Sequence, residues 1–400
     1  MTLDRLVALG RDLASLAVFR ALLDDPVVDG LRRHLDAAAR GGDVDAYAGA
    51  VAALYASGKG SLARYVRDAV LEDENPYLLR RGAGEEVPPS MEASVTRELA
   101  VLGRLAELVP DDFACSGDLL DADRIPGYEL ERVDLEADYA ARIAEVGVRG
   151  YGIYARHHVF DVDGEGRIRP VRYPDPIRLS DLVDYERERA QILENTEALL
   201  KGLPAANILL TGDAGTGKSS TVKAVANELA DRGLRILEVR KEQLHEIPGI
   251  LDALTRNPLK FVIFIDDLSF SANDDDFAAL KAILEGSVSS KSDNVAIYAT
   301  SNRRHLVRER FSDREGDDIH RNDTMQEIIS LSDRFGLRIS FSRPDKETYL
   351  RIVRKLAADA GVAVAGEELD LLAERFATRR GSRSARGARQ FVDSLVAKGE

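Results

Sequence analysis

The 400-residue sequence has a single cysteine, Cys115. One thiol excludes an intramolecular disulfide and any multi-cysteine zinc site. It fits a reducing compartment, with Cys115 a packed or half-exposed thiol rather than a nucleophile. Long apolar runs are also missing. Nothing approaches the ~18 residues of a membrane span, and Asp4 and Asp12 break the apolar stretch nearest the start. Neither a membrane partner nor a signal peptide is expected, and the expected location is cytoplasmic. There is no basic excess. Lys and Arg number 55 against 69 Asp and Glu, a net charge of −14. That argues against a chain whose whole surface tracks nucleic-acid phosphates or anionic lipid. Internal repeats and low-complexity tracts are absent. What is present, 44% hydrophobic and 31% charged residues, is globular composition. At roughly 150 residues per domain, the length predicts two to three domains.

The first half reads as helical. Leu3, Leu6, Val7, Leu13, Leu16, Phe19 and Leu23 keep a 3.6-residue period. Segments 44–57, 61–72 and 91–108 look similar, and the proline- and glycine-bearing stretch 74–90 reads as a loop. At 150–172 the pattern turns strand-like. Asp161, Asp163, Glu165 and Gly166 imitate the start of a calcium loop, but its twelfth position is Arg172 where a bidentate glutamate is needed. A glycine-rich hairpin turn is the better reading. A charged helix is expected over 181–200. Beyond it, 207–211, 235–239, 261–265, 295–299 and 337–341 are five strand candidates alternating with helices. Such βα units predict a parallel sheet covered on both faces. Three helices fill 345–398.

Gly212-Asp213-Ala214-Gly215-Thr216-Gly217-Lys218-Ser219 matches GxxxxGK[ST], with Ser220 following. It leaves an apolar strand and opens a helix, the context this phosphate loop requires. Glycines at 212, 215 and 217 let main-chain N–H groups face a phosphate chain, and the helix N-terminus adds its dipole. Lys218 would reach the β- and γ-phosphates, and the Ser219 hydroxyl would ligate Mg²⁺. Later comes Phe261-Val-Ile-Phe-Ile-Asp266-Asp267, a buried strand with two carboxylates at its tip. That end of an open α/β sheet faces the ligand crevice. Asp266 would hold Mg²⁺ through water and Asp267 would polarise the attacking water. The plainer alternative is an acidic loop start, since Asp274–Asp276 follow. Asn302, at a third strand tip, could position water or touch a γ-phosphate, or simply cap the next helix.

Other signals carry less. His245-Glu246 lacks the second histidine of a zinc-protease motif, because residue 249 is glycine. His157 and His158 are adjacent on an expected strand and would face opposite sides. No GxSxG elbow occurs, and no Asn-Lys-x-Asp signature, which favours ATP over GTP. Two arginine clusters stand out: Arg303, Arg304, Arg308, Arg310 and Arg314, and then Arg375, Arg379, Arg380, Arg383, Arg386 and Arg389. They read as nucleotide contacts and solvated helix faces, or as a surface for nucleic acid or an acidic partner.

The order of Gly212–Ser219, Ile265-Asp-Asp267, Ala299-Thr-Ser-Asn302, Leu331-Ser-Asp-Arg-Phe-Gly336 and the arginine-rich Gly381–Phe391 resembles the AAA+ ATPases. The runs 174–186, 212–224 and 298–306 look like one bacterial branch of predicted ATP-binding proteins, filed as a domain of unknown function. The resemblance covers about 150–398. It implies Asn302 at sensor 1. It implies Arg334 as an arginine finger reaching a neighbouring subunit, with a pair to Asp333 or another carboxylate as the alternative. For sensor 2 in the lid it implies Arg386, with Arg383 and Arg389 as alternatives. Val183 and Tyr185 fall near the adenine pocket. Two positions depart from the family: Asp267 stands where glutamate is usual, and Asp184 where glycine is common.

The expected architecture is therefore α/β: a P-loop αβα sandwich with a five-stranded parallel sheet and a C-terminal helical lid, preceded by a helical N-terminal region. The expected divisions are 1–148 helical, 149–180 hairpin and linker, 181–341 nucleotide-binding core and 342–400 lid. The expected function is an ATPase that uses ATP and Mg²⁺ to move or remodel an unknown protein partner, as an ATP-promoted homo-oligomer. A slowly hydrolysing nucleotide-gated switch or loader, and a nucleic-acid remodelling motor, stay open. Counted by halves, residues 1–200 hold 24 basic and 38 acidic side chains, and residues 201–400 hold 31 of each. All the excess acid thus lies outside the phosphate-loop half.

Overall fold

The computed structural model describes residues 2–114, 125–268, 280–284, 293–302, 333–364 and 366–398. Cys115 and the cluster Arg303–Arg314 lie outside the described residues. The chain divides into two compact units, residues 1–156 with 256–258, and residues 157–255 with 259–400.

The first unit is helical: α1 (Leu3–Ala14), α2 (Pro26–Ala37), α3 (Val44–Ala56), α4 (Leu62–Glu72), α5 (Pro76–Gly82), α6 (Pro89–Ala106), and the short α7 (Pro110–Ala114), α8 (Leu135–Ala144), α9 (Val146–Arg149) and α10 (Ile153–Arg156). Side-chain caps start several of them. Asp25, Asp43, Ser61, Asn75 and Asp134 each accept a main-chain N–H at a helix start, which satisfies donors the helix itself cannot. Leu6, Leu9, Leu13, Phe19, Val28 and Leu35 meet in its core. Among the described residues no helix is long and apolar enough to cross a membrane.

Three details differ from the expected pattern. The period running from Leu3 to Leu23 is cut at Ala14. The cause is Glu98, 1% exposed, whose carboxylate accepts the N–H groups of Ala17, Val18 and Phe19. These bonds replace the helical ones. The expected loop at 74–90 contains α5, because Asn75 caps it and Pro76 occupies its first position, where the missing N–H costs nothing. Residues 153–156 form a helical turn, so the strand-like pattern begins at Val159.

Among the described residues the second unit holds a seven-stranded sheet, two strands more than expected: β1 (Val159–Val162), β2 (Ile168–Pro170), β3 (Ile208–Gly212), β4 (Leu234–Glu238), β5 (Lys260–Ile265), β6 (Val295–Ser301) and β7 (Leu337–Phe341). Their order is β2-β1-β4-β5-β6-β3-β7. All pairs are parallel except the β1–β2 hairpin. The extra strands are that hairpin. Val159–Asp161 pair with Ile236–Glu238, and this buries Phe160 completely. The central strands read as continuous apolar runs because helices cover both faces: Phe261–Ile265 are all at most 2% exposed. Each such side chain contributes about 1.5–3 kcal/mol by leaving water.

Around the sheet lie α11 (Glu186–Leu200), α12 (Lys218–Leu229) and α13 (Ile247–Leu254). The chain then forms α14 (Lys346–Asp359), α15 (Gly366–Arg380) and α16 (Ala385–Val396), a three-helix lid with its own core of Tyr349, Val353, Leu369, Ala373, Phe391 and Leu395.

One buried carboxylate in the first unit titrates far from its usual range. Asp73 is 8% exposed, and its Oδ2 accepts from Asn75 Nδ2 at 3.0 Å. Burial pushes its pKa up to about 6, opposed by the Asn75 bond and assisted by the Glu74 charge. The folded value lies above the unfolded one. Its stabilising contribution is therefore complete below about pH 4 and lost as pH rises through about 6. Asp73→Asn keeps the acceptor and removes the charge. It is expected to leave stability unchanged at pH 4 and to raise it by up to about 3 kcal/mol at pH 7.5, read from urea denaturation.

Candidate functional site

Three neighbouring strands bring the site together. β5, β6 and β3 lie side by side, and their C-terminal ends carry Asp266 and Asp267, Asn302, and the phosphate loop. Gly212 ends β3 with φ +142°, and a Cβ there would sit 2.1 Å from the Phe341 carbonyl oxygen. Gly215, at φ +78°, lies against the lid: a Cβ would come 3.1 Å from Arg386 Cβ. Any side chain at either position would push the loop away from its neighbours. Gly217 then caps α12, and Lys218 is its first residue.

Lys218 is 4% exposed. Its ammonium donates to the carbonyls of Gly212 at 2.8 Å and Asp213 at 2.9 Å, and to Asn302 Oδ1 at 3.0 Å. Burial lowers its pKa, and Arg386 adds to that. The charges of Asp266, Asp267 and Asp213 oppose it. Next to it, Ser219 Oγ donates to Asp266 Oδ1 at 2.6 Å, and Thr300 Oγ1 donates to the same oxygen at 2.5 Å. Asp267 adopts φ +53°, and its Oδ1 accepts from Asn302 Nδ2 at 2.6 Å. Asn302 thus bridges Lys218 and Asp267.

The opposite wall is made by the lid and the segment before α11. Arg386 and Arg389 line the cavity. Arg386 N donates to the Gly215 carbonyl at 3.3 Å. Arg383 instead pairs with Glu374 at 2.8 Å, within the lid. Val183 packs on the lid core and Tyr185 on the sheet core. The expected helix over 181–200 begins only at Glu186, because Asp184 and Tyr185 have φ +61° and +62°. That is the conformation glycine enters without strain. Arg189 holds this turn, donating to the carbonyls of Leu179, Leu182 and Asp184. Asp184 pairs with Arg351 of α14 at 2.6 Å, and the Tyr185 hydroxyl donates to the Ser342 carbonyl at 2.5 Å. Burial, with the Asp184 charge, pushes the Tyr185 pKa up to about 12.

Ala214 to Ser220, Val183, Tyr185, Asp266, Asp267, Asn302 and Arg386 all line one cavity of about 900 Å³. That volume accommodates a nucleotide-sized ligand. Arg334 is not brought there. It precedes β7, whose Leu337 pairs with Ile208 at the opposite end of β3, and five strand residues separate the two ends by roughly 15 Å. Asp333 accepts a hydrogen bond from Arg338.

Sequence patterns had not singled out Thr300, Arg189 or Arg351. Thr300 lay inside a quoted run, next to Asn302. The two arginines are one charge among many on helices, and nothing in their spacing marks them. Among the described residues no three His, Cys, Asp or Glu side chains converge as a metal cage. Ser219 Oγ and Asp266 Oδ1 still form a hard-oxygen pair, which fits Mg²⁺, a cation that keeps most of its waters.

Residues 155–399 match the model of a family described as "Protein of unknown function (DUF815)". No protein with a curated description matches the chain. Among solved structures, one described as "Replication initiator DnaA bound to AMPPCP and single-stranded DNA" is similar over 57% of this chain and 67% of that one, at 16% identity and a TM-score of 0.41. A likeness of that size says nothing about what this chain binds.

The two lid arginines that differ in their partners separate by experiment. With ATP, the ligand expected from the sequence, as the probe, Arg386→Ala is expected to weaken binding about tenfold relative to wild type, the order of one charge-assisted hydrogen bond. Arg383→Ala, which removes a pair internal to the lid, is expected to leave it within about twofold. Isothermal titration of both proteins reads the difference.

Proposed function

The chain belongs to the DUF815 family, and we propose that it is an AAA+ type ATPase in which this cavity binds Mg-ATP and cleaves its terminal phosphate by in-line attack of water. The observation that carries the reading is the state of Lys218. A buried ammonium whose hydrogen bonds go to neutral oxygens, two carbonyls and the Asn302 amide, is a cation arranged to receive an anion. In this reading the loop N–H groups and the α12 N-terminus receive the phosphates. Lys218 neutralises charge on the β- and γ-phosphates. Ser219 and Asp266 hold Mg²⁺, which supplies further neutralisation of the phosphate oxygens. Asp267 orients and polarises the water, and Asn302 positions it. Val183 and Tyr185 receive the base, and Arg386 carries the nucleotide state into the lid.

Turnover tests this function. Wild-type protein is expected to release phosphate from ATP in the presence of Mg²⁺. Lys218→Ala should lose both binding and turnover, and Asp267→Asn should bind ATP yet release phosphate at least 100-fold more slowly, roughly the loss from removing a general base. Phosphate release by wild-type protein no faster than by Lys218→Ala would remove the ATPase reading.

A second reading, a slowly hydrolysing switch, is favoured by two features of Asp267. Asp267 is a methylene shorter than glutamate, and its carboxylate is held by Asn302 at 2.6 Å. Both lengthen the reach to water.

Arg334 stands far from its own cavity and is proposed to act on a neighbouring copy. A finger of this kind is worth ~10³–10⁵ in rate, about 4–7 kcal/mol. The expected outcome is an ATP-promoted oligomer, read as mass with and without a non-hydrolysable analogue. A monomer under both conditions at micromolar protein would contradict it.

A further inference from the structure

Thr300 is 2% exposed near the end of β6 and lines the cavity. Three hydrogen bonds tie it to the turn that leaves β5. Its Oγ1 donates to Asp266 Oδ1 at 2.5 Å and accepts the Asp267 N–H at 2.9 Å. Its main-chain carbonyl accepts the Leu268 N–H at 2.7 Å. A hydroxyl has one proton to donate, and here it goes to one aspartate while a lone pair goes to the next.

The two aspartates need such a group. They are adjacent, like-charged and carry different tasks. Asp267 sits at φ +53°, a region a non-glycine residue enters at a cost and keeps only when its surroundings hold it. The other acceptor for its N–H, Asp266 Oδ1, is farther away at 3.2 Å. In the held conformation the Asp267 carboxylate meets Asn302, whereas Asp266 meets Ser219.

We propose that Thr300 is the positioning residue that assigns these aspartates to separate tasks. Its donated bond aims Asp266 at the cation position beside Ser219. Its accepted bond holds Asp267 in the turn that presents the carboxylate to Asn302 and to water. The role rests on the Mg-ATP reading above and requires no contact between Thr300 and the nucleotide.

Thr300→Val tests it, because valine keeps the shape, the branching and the main-chain bond to Leu268 and loses only the hydroxyl. The full chain carrying it is expected to lose about 10–100-fold in kcat with little change in KM for ATP, the usual scale for removing a group that orients a metal ligand. A second readout does not depend on turnover. The Mn²⁺ concentration needed to half-saturate the protein in the presence of a non-hydrolysable ATP analogue should rise about tenfold, while analogue binding in EDTA stays unchanged. Thr300→Ser should recover both. Thr300→Ala, which also lacks the hydroxyl, gives the same readouts should the valine protein not fold. A purely structural threonine would shift the melting temperature and leave kcat and Mn²⁺ affinity alone, and that result overturns the role. So does a serine protein as impaired as the valine one. Wild-type protein that neither binds nor cleaves ATP would overturn the function itself and this role with it. Turnover by wild type and valine alike would overturn the role only.

Discussion

The second unit is organised around the burial of one ammonium. Lys218 is 4% exposed, and an unpaired charge so placed would cost several kcal/mol. Neutral oxygens meet that demand: two loop carbonyls and the Asn302 amide. For these to converge, the loop must curl back on the first turn of α12, which requires the backbone of Gly212 to pass against the Phe341 carbonyl. It also requires β6 beside β3, so that Asn302 arrives from the next strand. With β5 on the far side of β6, Asp266 and Asp267 arrive one strand further on. The sheet order is thus the means by which four side chains from three distant segments share one cavity.

The lid is joined to this centre at several points. Arg386 meets the loop at Gly215, and Arg351 meets Asp184. Tyr185 reaches Ser342 in the segment between β7 and α14. Val183 packs on the lid core while Tyr185, two residues on, packs on the sheet core. In the proposed reading, a nucleotide's phosphates beside Arg386 and its base beside Val183 and Tyr185 would each act on the lid. Surface pairs such as Arg351–Asp184, half-exposed on the arginine side, contribute little to stability, about 0–1 kcal/mol. Pairs of that strength would not prevent the lid movement that the proposed function requires.

The phosphate loop, the carboxylate pair and five strands were legible in the sequence because each is a local pattern with a local cause. A glycine-rich turn, an apolar run and a capped helix are all determined within a dozen residues. What escaped depends on partners far along the chain. The end of α1 is decided by Glu98, some 80 residues away. The hairpin joins the sheet because β1 finds β4 across more than 70 residues. The task of Thr300 appears only when β6 lies beside β5. Helix α5 is a different case: the prolines and glycines of 74–90 suggest a loop, although a capping side chain before a first-turn proline, as in Asn75-Pro76, begins a helix. For the site residues, motif positions indicated which chemistry to expect, and the unpatterned Arg189 and Arg351 had no local signal at all.

The most direct measurement is a structure of the protein with Mg²⁺ and a non-hydrolysable ATP analogue. The phosphates are expected in the Gly212–Ser219 loop and the base against Val183 and Tyr185. Lys218 should have turned from Asn302 to phosphate oxygens, and Ser219 from Asp266 to the cation. An analogue seated elsewhere, or phosphates in the loop while Lys218 keeps its three present partners, would contradict the proposed function.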